Sequence, residues 1–320
     1  MLRAPIKAVW SLSSEAIEAW IEDYAPSMGA ALSYYTLFSI APLLLIVIGL
    51  AGLVFGPEAA RGEIFGQLRG LMGDQGAAAV ENLLQSADKP QGGTIATVTG
   101  IVMLLLGATT VFGELQNALD RIWRAPARNK ASGWWNLLRS RVLSFGMILG
   151  IAFLLMVSLV MSALVSALGK LWGPAFKGWE TMAHVLDLFI TFGMVTVMFA
   201  LIYKIIPRVR IQWRDVWIGA AVTAGLFAVG KFLIGLYLGK SSVASAFGAA
   251  GSLVVMMVWV YYSAQIFLLG AEFTWVYAHS YGSRRGERRP RPEESAPVTP
   301  RSPAGASTTA RADYPSVPPG

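Results

Sequence analysis

Residues 247–279 form an apolar stretch that constrains the fold more than any other part of the chain. Between Gly251 and Ala271 no residue is charged, and about 20 consecutive apolar residues are enough for an α-helix to cross the hydrocarbon core of a bilayer. Irregular backbone exposed to lipid would leave its N–H and C=O groups without hydrogen bonds. The stretch therefore predicts a membrane-spanning helix.

The composition extends this prediction to the rest of the chain. Hydrophobic residues make up 55% of the sequence and charged residues only 14%, whereas soluble domains carry about 25% charged residues. This indicates an all-α, polytopic membrane bundle. The absence of cysteine excludes disulfides and cysteine-bound clusters, and two histidines are too few for a His-rich metal site. We expect neither a metal nor a cofactor.

Apolar segments and their connections divide the chain into three parts. Residues 1–28 show helical spacing of apolar residues and predict an amphipathic helix, which either lies in the membrane interface or packs on the cytoplasmic ends of the bundle. The proline-rich residues 281–320 predict a disordered tail, and residues 57–93 a short helical loop. The first apolar run is too long for a signal-peptide core, so we expect an uncleaved anchor. Six spans are predicted at about 29–55, 94–112, 143–168, 184–206, 216–238 and 250–278.

The distribution of basic residues orients these spans. With six spans, 19 Lys and Arg residues fall on the side of the two termini and 7 fall on the other side or within a span. Basic loops resist translocation across the membrane. Both termini are therefore predicted to be cytoplasmic, which makes the loop at 57–93 periplasmic.

Two spans carry polar faces at matching depth. The half of the first span that precedes Pro42 is rich in hydroxyl groups, and in the last span polar side chains recur on one helical face. Pro42 predicts a helix kink. One interpretation is a polar cavity between these spans; the alternative is helix packing through hydroxyls and small residues. The candidate lining residues are Ser33, Tyr34, Tyr35, Thr36, Ser39, Tyr261, Gln265 and Glu272.

A second candidate site consists of Asp187 and Lys231. Both lie within spans, near the periplasmic side, and fall within about two helical turns of one depth. Charges inside a membrane often mark the path of a substrate or proton. The alternative is a purely structural pair or a lysine that extends its ammonium group to the interface.

Four stretches carry a family resemblance: GAALSYYTLFSIAPLLLIVIGLAGLVFG at 29–56, LQNALDRIWRAP at 115–126, YKIIPRVRIQWRDVWIGA at 203–220, and FGAAGSLVVMMVWVYYSAQIFLLGAEFTWVYA at 247–278. Together they resemble the YihY / virulence factor BrkB family of bacterial inner-membrane proteins. The resemblance implies a six-helix, multi-pass protein of the bacterial cytoplasmic membrane. Members have been connected with serum resistance and, in one branch, with export of a lipopolysaccharide precursor.

The same family was once labelled a tRNA-processing ribonuclease, and the sequence argues against that activity. Metal-dependent hydrolysis needs clustered His, Asp or Glu ligands, and metal-free cleavage needs a positioned acid and base. The acidic residues here are scattered, and no P-loop or GxSxG motif is present. Orientation explains the basic loops, so neither an enzyme nor a nucleic-acid partner is expected.

The function predicted from these features is transport or translocation of an envelope lipid or amphipathic solute, with membrane lipids as partners. The alternative is a non-transporting scaffold for cell-envelope integrity, in which the polar groups only hold helices together. Without a nucleotide-binding motif, transport would have to be coupled to protons, other ions or a partner. Glu272, Asp187 and Lys231 are the candidate titrating groups.

Overall fold

The computed structural model describes residues 3–87, 110–126, 179–240, 247 and 250–286. Regular secondary structure in these ranges is helical throughout, which confirms the predicted all-α class. The helices are α1 Arg3–Glu22, α2 Ala25–Phe55, α3 Pro57–Ala87, α4 Trp179–Ile205, α5 Trp213–Lys240 and α6 Gly251–Ser280. Residues 110–122 are also helical.

Among the described residues, three helices are long and apolar enough to cross a membrane. These are α4, through its window Leu188–Ile205, and the whole of α5 and α6. Their bounds agree with the predicted spans to within about five residues. Most of the spans predicted at 94–112 and 143–168 lies outside the described residues, and so does the tail after residue 286. The count of six spans therefore stays a prediction.

A short turn connects the first two helices. Asp23 and Tyr24 separate them, and α2 then continues through Pro42 to Phe55. Leu12, Ala16 and Ala19 of α1 are buried, and α1 packs on α6. An exposed apolar stripe of α1 consists of Trp10, Ile17 and Ile21, and Tyr24 in the following turn is also exposed. Packing on the bundle thus accounts for one face of α1, and contact of the other face with lipid stays a prediction.

Helix α6 packs against α1, α2, α3 and α5, and its contact with α5 depends on reciprocal glycines. A Cβ at Gly219 of α5 would lie 1.8 Å from Thr274 Oγ1, and one at Gly270 of α6 would lie 2.0 Å from Thr223 Oγ1. Each threonine hydroxyl donates to its own helix, Thr223 to Gly219 O and Thr274 to Gly270 O, both at 2.7 Å. Close backbone approach through small residues is typical of helices in membranes.

The bundle has two ends that differ in what they contain. The core of the terminal end includes Leu119, Ile122 and Trp123. Four segments contribute to it: α1, residues 110–126, residues 206–212 and the C-terminal part of α6. We call the other end the hairpin end, because α3 turns there at Gly73. At this end α3 packs on α5 and α6 through Met72, Val80, Ile234 and Met256.

Candidate functional site

Three buried charged residues lie together at the terminal end, and we call Asp23, Arg124 and Glu272 the buried charge cluster. Arg124 Nη1 donates hydrogen bonds to both carboxylate oxygens of Asp23. The Asp23 side chain is 0% exposed and that of Arg124 only 5%. The Arg124 guanidinium also lies 5.3 Å from the centre of the Trp275 ring, which adds a cation–π contact to the ion pair.

Glu272 is the third member of the cluster and belongs to the membrane-length helix α6. It is 0% exposed and interacts electrostatically with Asp23 and Arg124. Within the described ranges, neither carboxylate oxygen of Glu272 accepts a hydrogen bond. Two ionised carboxylates can only accept, so Glu272 and Asp23 can hydrogen-bond to each other only when one carries a proton. Arg124 is thus paired with Asp23, and Glu272 lies within electrostatic range of both.

The backbone next to this cluster is strained. Tyr24 has a φ of 57° and Arg124 a φ of 50°, and no other non-glycine residue in the described ranges has a positive φ. Left-handed backbone costs a residue with a Cβ roughly 1–2 kcal/mol. Such strain persists where the surroundings enforce it, and it concentrates at functional sites. Both strained residues lie at the cluster, since Tyr24 follows Asp23 and Arg124 is itself a member.

Two more arginines, Arg121 and Arg284, pack on aromatic rings of the terminal end. Arg121 Nε lies 3.8 Å from Asp23 Oδ1, with its guanidinium 5.3 Å from the centre of the Tyr24 ring. The Arg284 guanidinium lies 5.5 Å from the centre of the Trp123 ring. These contacts place the basic residues of the terminal end against its aromatic core.

A second ion pair closes the terminal end outside the spans. Asp120 accepts a 2.9 Å hydrogen bond from the backbone N–H of Arg208, and its Oδ2 lies 3.2 Å from Arg208 Nε. Burial raises the pKa of the Asp120 carboxyl, while the Arg208 amide and guanidinium partly offset that rise. The pair ties residues 110–126 to the connection after α4.

The structure brings part of the predicted cavity lining together. Gln265 lies against the start of α2, where its Nε2 is 3.5 Å from Pro26 O and a Cβ at Gly29 would lie 2.0 Å from that nitrogen. Ser33 and Ser39 are buried and donate to Ala30 O and Thr36 O of their own helix. Gln265 therefore lies in the contact between α2 and α6, and the two serines are buried in α2.

The other predicted lining residues are more exposed or lie elsewhere. Tyr34 is 50% exposed and Tyr261 is 37% exposed, while Tyr35 and Thr36 are half-buried. Glu272 lies in the buried charge cluster, about two helical turns along α6 from Gln265. Whether a cavity opens between α2 and α6 stays a prediction.

Lys231 lies at the hairpin end, where its ammonium group donates a 2.7 Å hydrogen bond to Gly70 O of α3. Asp187 lies in α4, and its side chain is outside the described residues, as is the ring of Pro42. The predicted pair of Asp187 with Lys231 and the predicted kink at Pro42 therefore stay predictions. A lysine bonded to a carbonyl fits the structural alternative.

Sequence reasoning missed the partners of Glu272. Asp23 and Arg124 are 101 positions apart, and no local pattern links an acidic residue before the first span to an arginine after the second. The one available signal was their position, since both precede or follow a predicted span on the cytoplasmic side. In the described ranges no group of three or more His, Asp or Glu residues could hold a metal ion.

Long apolar helices around a buried charge cluster define a multi-pass helical membrane protein. A family model described as Virulence factor BrkB matches residues 16–295, and the chain belongs to this family. A UPF0761 membrane protein of Pseudomonas aeruginosa is 29% identical over 259 residues, which is 79% of this chain and 59% of the relative. No solved structure matches the chain.

Other relatives carry the same printed name. The UPF0761 membrane protein of Alkalilimnicola ehrlichii is 27% identical over 84% of this chain and 58% of its own length. That of Tolumonas auensis is 26% identical over 79% of this chain and 80% of its own length. The chain thus spans about three fifths of the Pseudomonas and Alkalilimnicola relatives.

Proposed function

We propose that this protein transports or translocates an envelope lipid or amphipathic solute across the bacterial inner membrane, with both termini in the cytoplasm. One observation carries the proposal: Glu272, in a membrane-length helix, is fully buried beside an ion pair with no hydrogen bond to its carboxylate within the described ranges. A buried carboxylate that accepts no hydrogen bond costs free energy. Groups of this kind inside membranes most often serve substrates, ions or protons.

The cluster also offers a coupling mechanism. When Glu272 carries a proton it can donate to Asp23, and when it loses that proton both carboxylates compete for Arg124. Arg121 lies 3.8 Å from Asp23, and Glu22 adds a negative charge near Glu272. Each protonation state thus favours a different set of contacts between α1, α6 and residues 110–126. A proton gradient would drive the exchange between them.

Reconstitution tests the proposal directly. Proteoliposomes with the full chain should change the accessibility of labelled lipid headgroups faster than empty liposomes, across at least one of several lipid classes. Glu272→Gln should remove the acceleration by a pH gradient while the protein stays folded, since the amide keeps the shape and cannot exchange a proton. Glu18→Gln, at an exposed position of α1, is the matched control. No movement above empty liposomes in any lipid class would refute transport.

The scaffold alternative has its own supporting observation. Gln265 fills the space above Gly29 so closely that a Cβ there would overlap it, as expected of a residue that fastens α2 to α6. Gln265→Leu separates the two functions. Under transport the variant loses activity at unchanged abundance, whereas under scaffolding activity and abundance fall together.

The proposed orientation has a separate test. A C-terminal reporter that works only in the periplasm should stay silent, and the same reporter inserted after Gly73 in α3 should be active. A strong signal from the C-terminal fusion would contradict the cytoplasmic position of the termini.

A further inference from the structure

A cavity of about 340 Å³ lies within the hairpin end and belongs to no part of the buried charge cluster. Helix α3 turns at Gly73, whose φ of 73° and ψ of 175° interrupt the helix. The two arms face each other across the cavity, with Arg61, Phe65 and Arg69 from the first and Glu81, Leu84 and Gln85 from the second. Its volume is in the range of small-ligand sites.

The charges of α3 are unevenly distributed around this cavity. The helix carries four carboxylates, Glu58, Glu63, Asp74 and Glu81, and two arginines. Both arginines line the cavity, whereas Glu81 is the one carboxylate of the four that does. An acidic helix thus presents a net positive cavity. Arg61 and Arg69 lie two helical turns apart, and a guanidinium group suits a phosphate group because it can donate two parallel hydrogen bonds to its oxygens.

The remaining lining favours an amphipathic ligand over a free ion. Phe65 is half-buried and Leu84 is 2% exposed, so the arginines adjoin apolar surface. Gln85 is exposed and offers both a donor and an acceptor. The hairpin packs on α5 and α6 through Met72, Val80 and Met256, which puts the cavity beside the ends of two membrane-length helices.

We propose that Arg61 and Arg69 form a binding site for the phosphate group of an anionic lipid headgroup, with Phe65 and Leu84 contacting the adjoining apolar part. The site does not depend on the proposed transport, because a lipid can bind there whether or not the protein moves it. It lies at the opposite end of the bundle from Glu272. Failure of the two proposals can therefore be distinguished.

Binding to the full chain in detergent micelles tests the site. A fluorescent phosphatidylglycerol analogue is bound and then displaced by dihexanoyl phosphatidylglycerol, by dihexanoylglycerol, which has the same chains without phosphate, or by inorganic phosphate. We expect the phosphate-bearing lipid to displace the analogue and dihexanoylglycerol to fail. Displacement by inorganic phosphate at equal concentration would assign the site to free phosphate as its source.

Variants test the residues. Arg61→Gln with Arg69→Gln should weaken binding at least about tenfold, the scale of a lost hydrogen bond to a charged group. Arg69→Gln alone, at an exposed position, should show a smaller loss and preserves the fold if the double variant does not. Gly66→Leu should block the cavity with both arginines in place, since Gly66 lines it and a Cβ there meets no other atom within 4 Å.

Lys240→Gln is the matched control, because Lys240 is an exposed positive charge at the C-terminus of α5 and does not line the cavity. It should leave binding unchanged. The proposal is wrong if folded Arg69→Gln and Gly66→Leu proteins bind as the wild type does. It is equally wrong if dihexanoylglycerol displaces the analogue as well as the phospholipid, or if Lys240→Gln loses as much affinity as the double arginine variant.

Discussion

The two ends of the bundle are held together by different interactions. At the terminal end, charged side chains link segments far apart in sequence: Arg124 to Asp23, Arg208 to Asp120, and Ser283 to Asp215. At the hairpin end, α3 meets α5 and α6 mainly through apolar side chains, with Lys231 bonded to a backbone carbonyl. The terminal end is stabilised by directional contacts to charged groups, and the hairpin end is stabilised by burial of apolar surface.

This difference bears on specificity and on motion. Buried ion pairs add little net stability compared with apolar packing, yet they are strongly destabilising when one partner is removed. Buried ion pairs also have few alternative geometries, and a change in the protonation of one member can shift the protein from one geometry to another. Truncation of an apolar side chain lowers the free energy of unfolding in proportion to the buried apolar area that is lost. We therefore expect a switch at the terminal end and tolerance to substitution at the hairpin end.

The largest effect should follow removal of Arg124. Arg124→Gln leaves two buried carboxyl groups without their guanidinium, and we expect a loss of about 3–5 kcal/mol in the free energy of unfolding. Arg121→Gln removes a 46% exposed arginine that pairs with the same Asp23 and should cost at most about 1 kcal/mol. Unfolding in detergent measures both. Similar losses for the two variants would erase the distinction between buried and exposed pairs.

Adding Asp23→Asn to Arg124→Gln sharpens this test. The double variant buries one carboxyl group fewer than Arg124→Gln, so it should be more stable than that single variant. If the double variant is less stable than Arg124→Gln, the two residues do not act as a pair.

The glycine contact between α5 and α6, which adjoins the core of the terminal end, should give the next effect. Gly219→Ala introduces a Cβ that overlaps Thr274, and overpacking of this kind costs about 1–3 kcal/mol. Thr274→Ala in addition should restore part of the loss. Gly225→Ala is the control, because its Cβ would meet no atom within 4 Å. Equal stability of the Gly219 and Gly225 variants in thermal unfolding would contradict the close contact.

At the hairpin end a smaller effect is expected. Lys231→Met removes the hydrogen bond to Gly70 O but keeps the apolar stem, so the free energy of unfolding should fall by about 0.5–1.5 kcal/mol. Transport should persist. Lys240→Met, at an exposed position, controls for the lost charge. Loss of transport by a stable Lys231→Met protein would instead revive a functional role for the lysine.

The smallest effect concerns pH at the terminal end. The pKa of Asp120 is raised in the folded state, so its contribution to stability is present below the ordinary aspartate value and is lost as pH rises through the raised pKa. Asp120→Asn cannot titrate. The variant should therefore gain stability relative to the wild type as pH rises from about 4. A constant difference between the two proteins in unfolding at several pH values would contradict the shift.

Much of the fold follows from local patterns, while the site does so only in part. Apolar length placed α4, α5 and α6 because lipid leaves a helix few alternatives. Helical spacing singled out Gln265 and Glu272 as residues that avoid lipid. Their partners had no such signal: Asp23 and Arg124 meet through tertiary packing, and the partner of Lys231 is a carbonyl, which every residue possesses. Glycines opposite threonines are likewise visible only after the helices are paired.

The contacts beyond the end of α6 have a practical consequence for engineering. Asp215 accepts hydrogen bonds from the backbone N–H of Ser283 at 3.2 Å and from its hydroxyl at 2.5 Å, and Arg284 lies over Trp123. A purification tag or a truncation after Gly286 leaves these contacts whole. A cut before Ser283 exposes a buried carboxylate at the start of α5, so the boundary chosen for expression decides whether the purified protein keeps the packing of its terminal end.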